Sequence, residues 1–107
     1  MASTREFLDF VLAQIADAGH ISSRAMMGEF VIYCGGKVVG GIYDNRFLLK
    51  PTKSAVAILD AAGITPQMEI PYPKAKPMIA ADIDDSELCC RLIQAIANDL
   101  PAPKKKG

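Results

Sequence analysis

Apolar residues recur near the start of the chain at Leu8, Val11, Leu12 and Ile15, the i, i+3, i+4, i+7 spacing of one helical face. Ser3 and Glu6 precede them at capping-box spacing, and Gly19 is placed to close the helix in a left-handed conformation. A helix over residues 4–18 is predicted. The period then changes. Glu29-Phe-Val-Ile-Tyr-Cys34 is rich in β-branched and aromatic residues, and Gly35-Gly36 is a two-residue hairpin signal. Residues 37–43 read as the next strand, Asp44-Asn45 as a second turn, and 46–50 as a third strand stopped by Pro51. So short a stretch leaves room only for hairpins, hence an antiparallel meander over 29–50. A further strand over 24–27 precedes it and breaks at Gly28.

Thr52 is placed to cap a second helix with Ala55, Ile58, Leu59 and Ala62 on one face and Gly63 at its end. Pro66, Pro71, Pro73 and Pro77 make residues 64–81 too broken for a helix. Short strands near 68–70 and 78–80 are expected there, at a sheet edge where proline is tolerated. Asp84 and Glu87 have cap spacing for a third helix. Its apolar face is Cys89, Leu92, Ile93, Ile96 and Leu100, and Pro101 and Pro103 stop it. The predicted fold class is α+β. Helices at the N-terminus, middle and C-terminus pack on one face of a central antiparallel meander, as two layers. A single domain over 1–100 and a flexible Pro/Lys tail over 101–107 are expected.

The hairpin turns predict a register. Two-residue turns pair Ile42 with Phe47, Gly40 with Leu49, Tyr33 with Val38 and Val31 with Gly40. Paired residues share a face and faces alternate along a strand. One face then carries Val31, Tyr33, Val38, Gly40, Ile42, Phe47 and Leu49, without a charge, and is the expected core face. The other carries an apolar patch of Phe30, Ile32, Val39 and Leu48 with Tyr43, rimmed by Lys37, Arg46 and Lys50. Contiguous apolar patches mark interaction sites unless the chain itself covers them. These eight residues are the candidate interaction surface, with cover by the 64–81 segment or a helix as the competing expectation.

Charge and composition narrow the function classes. The 107 residues carry formal net charge zero, which argues against a dominant nucleic-acid footprint. The charges are unevenly spread. Residues 36–80 hold six Lys/Arg and three acids, residues 81–100 hold five acids and Arg91, and Lys104, Lys105 and Lys106 follow in the tail. The N-terminus lacks the pattern of a signal peptide, and no apolar run is long enough for a membrane span. Three cysteines (Cys34, Cys89 and Cys90) without a C-x-x-C spacing disfavour a disulfide framework and suit a reducing cytoplasm.

Candidate chemistry is sparse. His20 is the only imidazole, just past a helix end, and no spacing sets a nucleophile beside it. Cys89 and Cys90 are helix neighbours whose side chains diverge by about 100°, and no ligand pair has zinc spacing. Asp82, Asp84, Asp85 and Glu87 form an acidic cluster, the composition of a Mg²⁺ or Ca²⁺ site. Placement at a helix N-terminus explains it without a metal. The glycine pairs match no phosphate loop. Neither catalytic residues nor a metal or other cofactor is expected. Lys37, Tyr43, Arg46 and Lys50 on one sheet face have the ingredients of single-stranded nucleic-acid binding, but the RNA-recognition aromatic signature is missing.

Arg24-Ala-Met-Met27-Gly28-Glu-Phe, then Tyr33-Cys-Gly-Gly36-Lys37-Val-Val, then Asp44-Asn-Arg46-Phe-Leu-Leu-Lys50-Pro resembles the N-terminal domain of the TfoX/Sxy competence-regulator family. The likeness continues through Pro71-Tyr72-Pro73-Lys-Ala75-Lys76-Pro77 to the Pro/Lys tail and covers nearly the whole chain. Met27 departs from it, standing where the family typically has Phe. The resemblance implies a two-layer fold with helices on one face of an antiparallel sheet. It also implies a role akin to transcriptional co-regulators of natural transformation, in which full-length members add a C-terminal domain. The chain ends at Gly107, so a domain standing alone is expected. The resemblance supplies no catalytic residues. The leading expectation is a cytoplasmic, non-enzymatic module that binds a protein partner, or a second copy as a homodimer, through the sheet face or an edge strand. The alternatives are direct nucleic-acid binding through Lys37, Arg46, Lys50, Lys53 and the lysine tail, and a ligand-binding or enzymatic domain using the 64–81 loop with Tyr72, Lys74 and Lys76.

Overall fold

A computed structural model describes residues 3–101. The predicted tail therefore lies outside the described residues except for Pro101. The elements run α1 (Arg5–Ile15), β1 (Ile21–Met26), β2 (Glu29–Cys34), β3 (Lys37–Tyr43), β4 (Arg46–Leu49), α2 (Lys53–Ala61), β5 (Met68–Glu69), β6 (Met78–Ala80) and α3 (Ser86–Asp99). The six strands form one antiparallel sheet in the order β1-β2-β3-β4-β6-β5. The expected α+β class and the three helices are as predicted. The strand at 78–80 lies inside the sheet, between β4 and β5, and of these two short strands only β5 takes an edge.

Three successive hairpins build the first four strands. Their central residues are Met27-Gly28, Gly35-Gly36 and Asp44-Asn45, all at positive φ. Positive φ at both central positions is what a type I′ turn demands, and its twist matches that of the flanking strands. Glu29 ties two of these turns to the N-terminus. Its carboxylate accepts from the Ser3 amide (2.8 Å) and the Asp44 amide (2.9 Å), and Asn45 Oδ1 accepts from the Thr4 amide (2.9 Å). Ser3 is thus engaged with Glu29, and the cap of α1 is Thr4, which accepts from Phe7 N. Helix α3 is likewise capped one residue later than expected, by Asp85. Gly19, at φ 141°, is not in the left-handed helical region; α1 runs on into a 3₁₀ turn over Ala16–Ala18.

The β3–β4 hairpin has the predicted register, Ile42 with Phe47 and Gly40 with Leu49. The β2–β3 hairpin does not. Tyr33 pairs with Val38, but Ile32 pairs with Gly40 and Val31 with Gly41, leaving Val39 as the extra residue of a β-bulge. One inserted residue inverts the facing of everything beyond it. Phe30, Ile32 and Cys34 thereby join Ile42, Phe47 and Leu49 on the helix-covered side, and Val31, Tyr33 and Val38 move to the other. Without the bulge two apolar sets would lie on opposite faces. With it, Ile32, Val39, Ile42, Phe47 and Leu49 form one core with Leu8, Val11, Ile15, Leu59, Leu92, Ile93 and Ile96. Each such side chain contributes on the order of 1.5–3 kcal/mol on burial, enough to outweigh an unpaired ladder position.

Candidate interaction face

The bulge redraws the predicted surface. Ile32 and Val39 are fully buried beneath the helices, and Phe30 is half-buried against the same core. Leu48 is on the opposite side of the sheet and is also fully buried. An exposed patch of Phe30, Ile32, Val39 and Leu48 therefore does not form. Two of its cationic rim residues are engaged. Lys37 Nζ donates to the carbonyl of Ala97 (2.7 Å) in the last turn of α3, where a cation complements the helix dipole. Arg46 Nη1 meets Glu69 Oε1 at 2.6 Å, and Nε donates to the Tyr43 carbonyl at 3.2 Å. Lys50 and Tyr43 remain half-buried and face the open side.

That side is covered in part by the proline-rich segment, as the competing expectation had it. Pro71 is buried and anchors the segment; the Tyr72 ring lies 6.1 Å from that of Tyr43, tilted by 57°. Between segment and sheet lies a cavity of about 460 Å³, bounded by Val38, Tyr43, Lys50, Tyr72, Lys76 and Met78. A second, of about 440 Å³, shares Tyr43, Pro71 and Tyr72 and reaches Met26, Met27 and Glu29. The Tyr43 phenol is shifted upward, chiefly by burial and further by Tyr72 and Glu29. It stays protonated at neutral pH and is a hydrogen-bond donor. Gly41 makes the ring's position possible, since a Cβ there would stand 2.7 Å from the Tyr43 ring and 2.8 Å from the Phe30 carbonyl oxygen.

The rest of the candidate chemistry is dispersed. His20 is exposed, and its carbonyl accepts from Gly35 N at 2.9 Å. Cys89 is buried, its thiol pushed up to about 12 by burial and then by Asp85, Asp82 and Cys90. Burial also raises Cys34 and Cys90. Asp85 caps α3, and Asp82 Oδ1 accepts from Asp84 N. Among the described residues no three His, Cys, Asp or Glu side chains converge as a metal-sized group. Nor is any helix there long and apolar enough to cross a membrane.

Sequence reasoning placed a strand over 24–27 but missed that β1 begins at Ile21 and forms an edge of the sheet. Its residues are exposed from Ser22 to Met26. The two-residue turn makes Met26 and Glu29 a hydrogen-bonded pair, so the alternation aims the amides and carbonyls of Ile21, Ser23 and Ala25 away from β2. The opposite edge, β5, is two residues long and bracketed by Pro66 and Pro71. The small polar run Ser22-Ser23 hides this asymmetry, because it lacks the β-branched residues that announce a strand.

Helices on one face of an open antiparallel sheet, with a groove on the other and one bare edge, define a two-layer α+β domain. The family model of the TfoX N-terminal domain matches residues 13–99, and the chain belongs to that family. It is 33% identical over 108 residues to the "uncharacterized 12.7 kDa protein in trpE 5'region" of Spirochaeta aurantia, covering 99% of this chain and 90% of that protein.

Proposed function

We propose that this TfoX N-terminal domain is a non-enzymatic regulatory module that captures an extended protein segment by strand addition along β1. The observation that carries the reading is the bare edge. The six residues of β1 contain no proline, bulge or inward charge, the outward amides and carbonyls of Ile21, Ser23 and Ala25 are unpaired, and only Arg24 guards them. Such an edge is a template for an added strand, with affinity from main-chain hydrogen bonds. Membership of a family similar to transcriptional co-regulators supports a regulatory role. The dispersal of His20 and the cysteines supports a non-enzymatic one. Engagement of Lys37 and Arg46 within the fold weighs against nucleic acid as the direct partner.

Ser23→Pro tests this. The Ser23 amide points outward, so proline removes a donor needed by an incoming strand and none from the β1–β2 ladder. Peptides selected from a random library against the protein are expected to shift the amide resonances of Ile21, Ser23 and Ala25 and to lose binding to S23P. Retained binding by S23P, with its fold intact by the same spectra, refutes the strand-addition site.

A further inference from the structure

We propose that the groove between the open sheet face and the 71–78 segment is a binding site for a small aromatic acid, a flat apolar body bearing one carboxylate. The inference is independent of strand addition at β1, which lies at the sheet edge.

Three observations converge on this chemistry. The first is size and build. The larger compartment, about 460 Å³, falls within the range of small-molecule sites, and its walls are largely apolar. Buried Pro71 holds the segment down, and Pro51 and Pro77 stiffen the rim. The second is charge. Lys50 and Lys76 both line this compartment, and no carboxylate does. Neither ammonium has a salt-bridge or hydrogen-bond partner among the described residues, unlike Lys37 and Arg46. Two unspent cations at an apolar site favour an anion, because the low-dielectric walls strengthen their attraction for it. The third is the aromatic wall. Tyr43 and Tyr72 stand at the junction of the two compartments, and Tyr72 is 59% exposed, an unusual state for a large ring with a neighbour to stack on. An inserted ring gains contact with both tyrosines in the tilted or offset arrangements that aromatic pairs prefer. The protonated Tyr43 hydroxyl adds a donor for the carboxylate.

The experiment is a titration of ¹⁵N-labelled protein with 1-naphthoate, and in parallel with uncharged 1-naphthamide, which has the same ring and shape. Naphthoate is expected to shift amides at Val38, Tyr43, Lys50, Tyr72 and Lys76, and to bind about tenfold more tightly than the amide. The double variant Lys50→Gln/Lys76→Gln is expected to erase that preference while leaving weak ring binding. Tyr72→Ala should weaken both ligands. All three substitutions are at partly or fully exposed positions, and the dispersion of the free spectra verifies their folding. Equal affinity for acid and amide, shifts centred elsewhere, or no shift at millimolar naphthoate would overturn the proposal. A peptide carrying adjacent Phe and Glu that binds the same residues more tightly than naphthoate would reassign the groove to a protein ligand and overturn it equally.

Discussion

Replacing Gly40 with alanine puts a single methyl group against the backbone of β4. The added Cβ would lie 2.9 Å from Leu49 Cα and closer still to the Leu48 carbonyl oxygen, both backbone positions that no rotamer change can move. Relief requires the strands to part by several tenths of an ångström at least, at the pairs Gly40–Leu49 and Gly41–Leu48. Overpacking of this kind costs about 1–3 kcal/mol, and two weakened ladder positions add to it. The expected loss is about 3 kcal/mol from a total on the order of 5–15 kcal/mol. Gly35→Ala is the matched control. Nothing lies within 4 Å of its Cβ, so only the left-handed φ of 60° opposes the change, at about 1–2 kcal/mol. Urea unfolding followed by far-ultraviolet circular dichroism measures both, and an unchanged m-value certifies that midpoints report stability. If Gly40→Ala loses no more than Gly35→Ala, the close approach of β3 and β4 is not a constraint and the packing argument fails.

Met27 sits at φ 52° with 98% of its surface exposed, so Met27→Asn, which makes an Asn-Gly turn, should raise stability by about 0.5–1 kcal/mol; an unchanged or lower melting temperature refutes turn strain there. The upward-shifted thiols of Cys34, Cys89 and Cys90 predict slow reaction with a disulfide reagent at pH 8 in the native protein and release of all three on denaturation. Fast native labelling of Cys89 contradicts its burial. The Asp99 carboxylate accepts from Ser54 Oγ (2.7 Å) and Ser54 N (2.8 Å), and these bonds hold it below its ordinary value of 3.8. Its contribution is therefore present above that pH and fades as the pH falls through the lowered folded-state value. The stability gap between wild type and Asp99→Asn should close below pH 3.8 and stay constant from pH 5 to 8; a gap that widens in acid refutes the assignment.

The helices were legible because their signals are local. The period of Leu8, Val11 and Ile15, the Thr52 cap and the Gly63 stop act within one or two turns, and each is realised. The cap of α1 moved by one residue because Ser3 found a stronger acceptor in Glu29, twenty-six positions away, which no local spacing reports. The turns were legible for the same reason. The facing of β2 was not. It depends on one unpaired residue, and the Gly40-Gly41 pair was a sign of it, since glycine inside a strand often marks a bulge or a close approach. Strict alternation past that point placed Ile32 and Val39 outside when they belong inside. The groove was readable only as the presence of Tyr72 and Lys76 in a proline-rich segment. Its existence depends on where that segment folds back across the sheet, a long-range outcome that residue types do not encode locally.

The bulge at Val39 also acts as a phase shifter between two stretches of sequence. Strand β2 and the start of β3 obey one parity of inward and outward positions, and the remainder of β3 with β4 obeys the other. A homologous chain that is one residue shorter between 37 and 41 keeps the same core only if every inward position of 29–34 has exchanged places with its neighbour. An alignment gap at this point is therefore coupled to the polarity of a strand several residues away. Comparing the two across the family gives a readout of the fold that needs no structure.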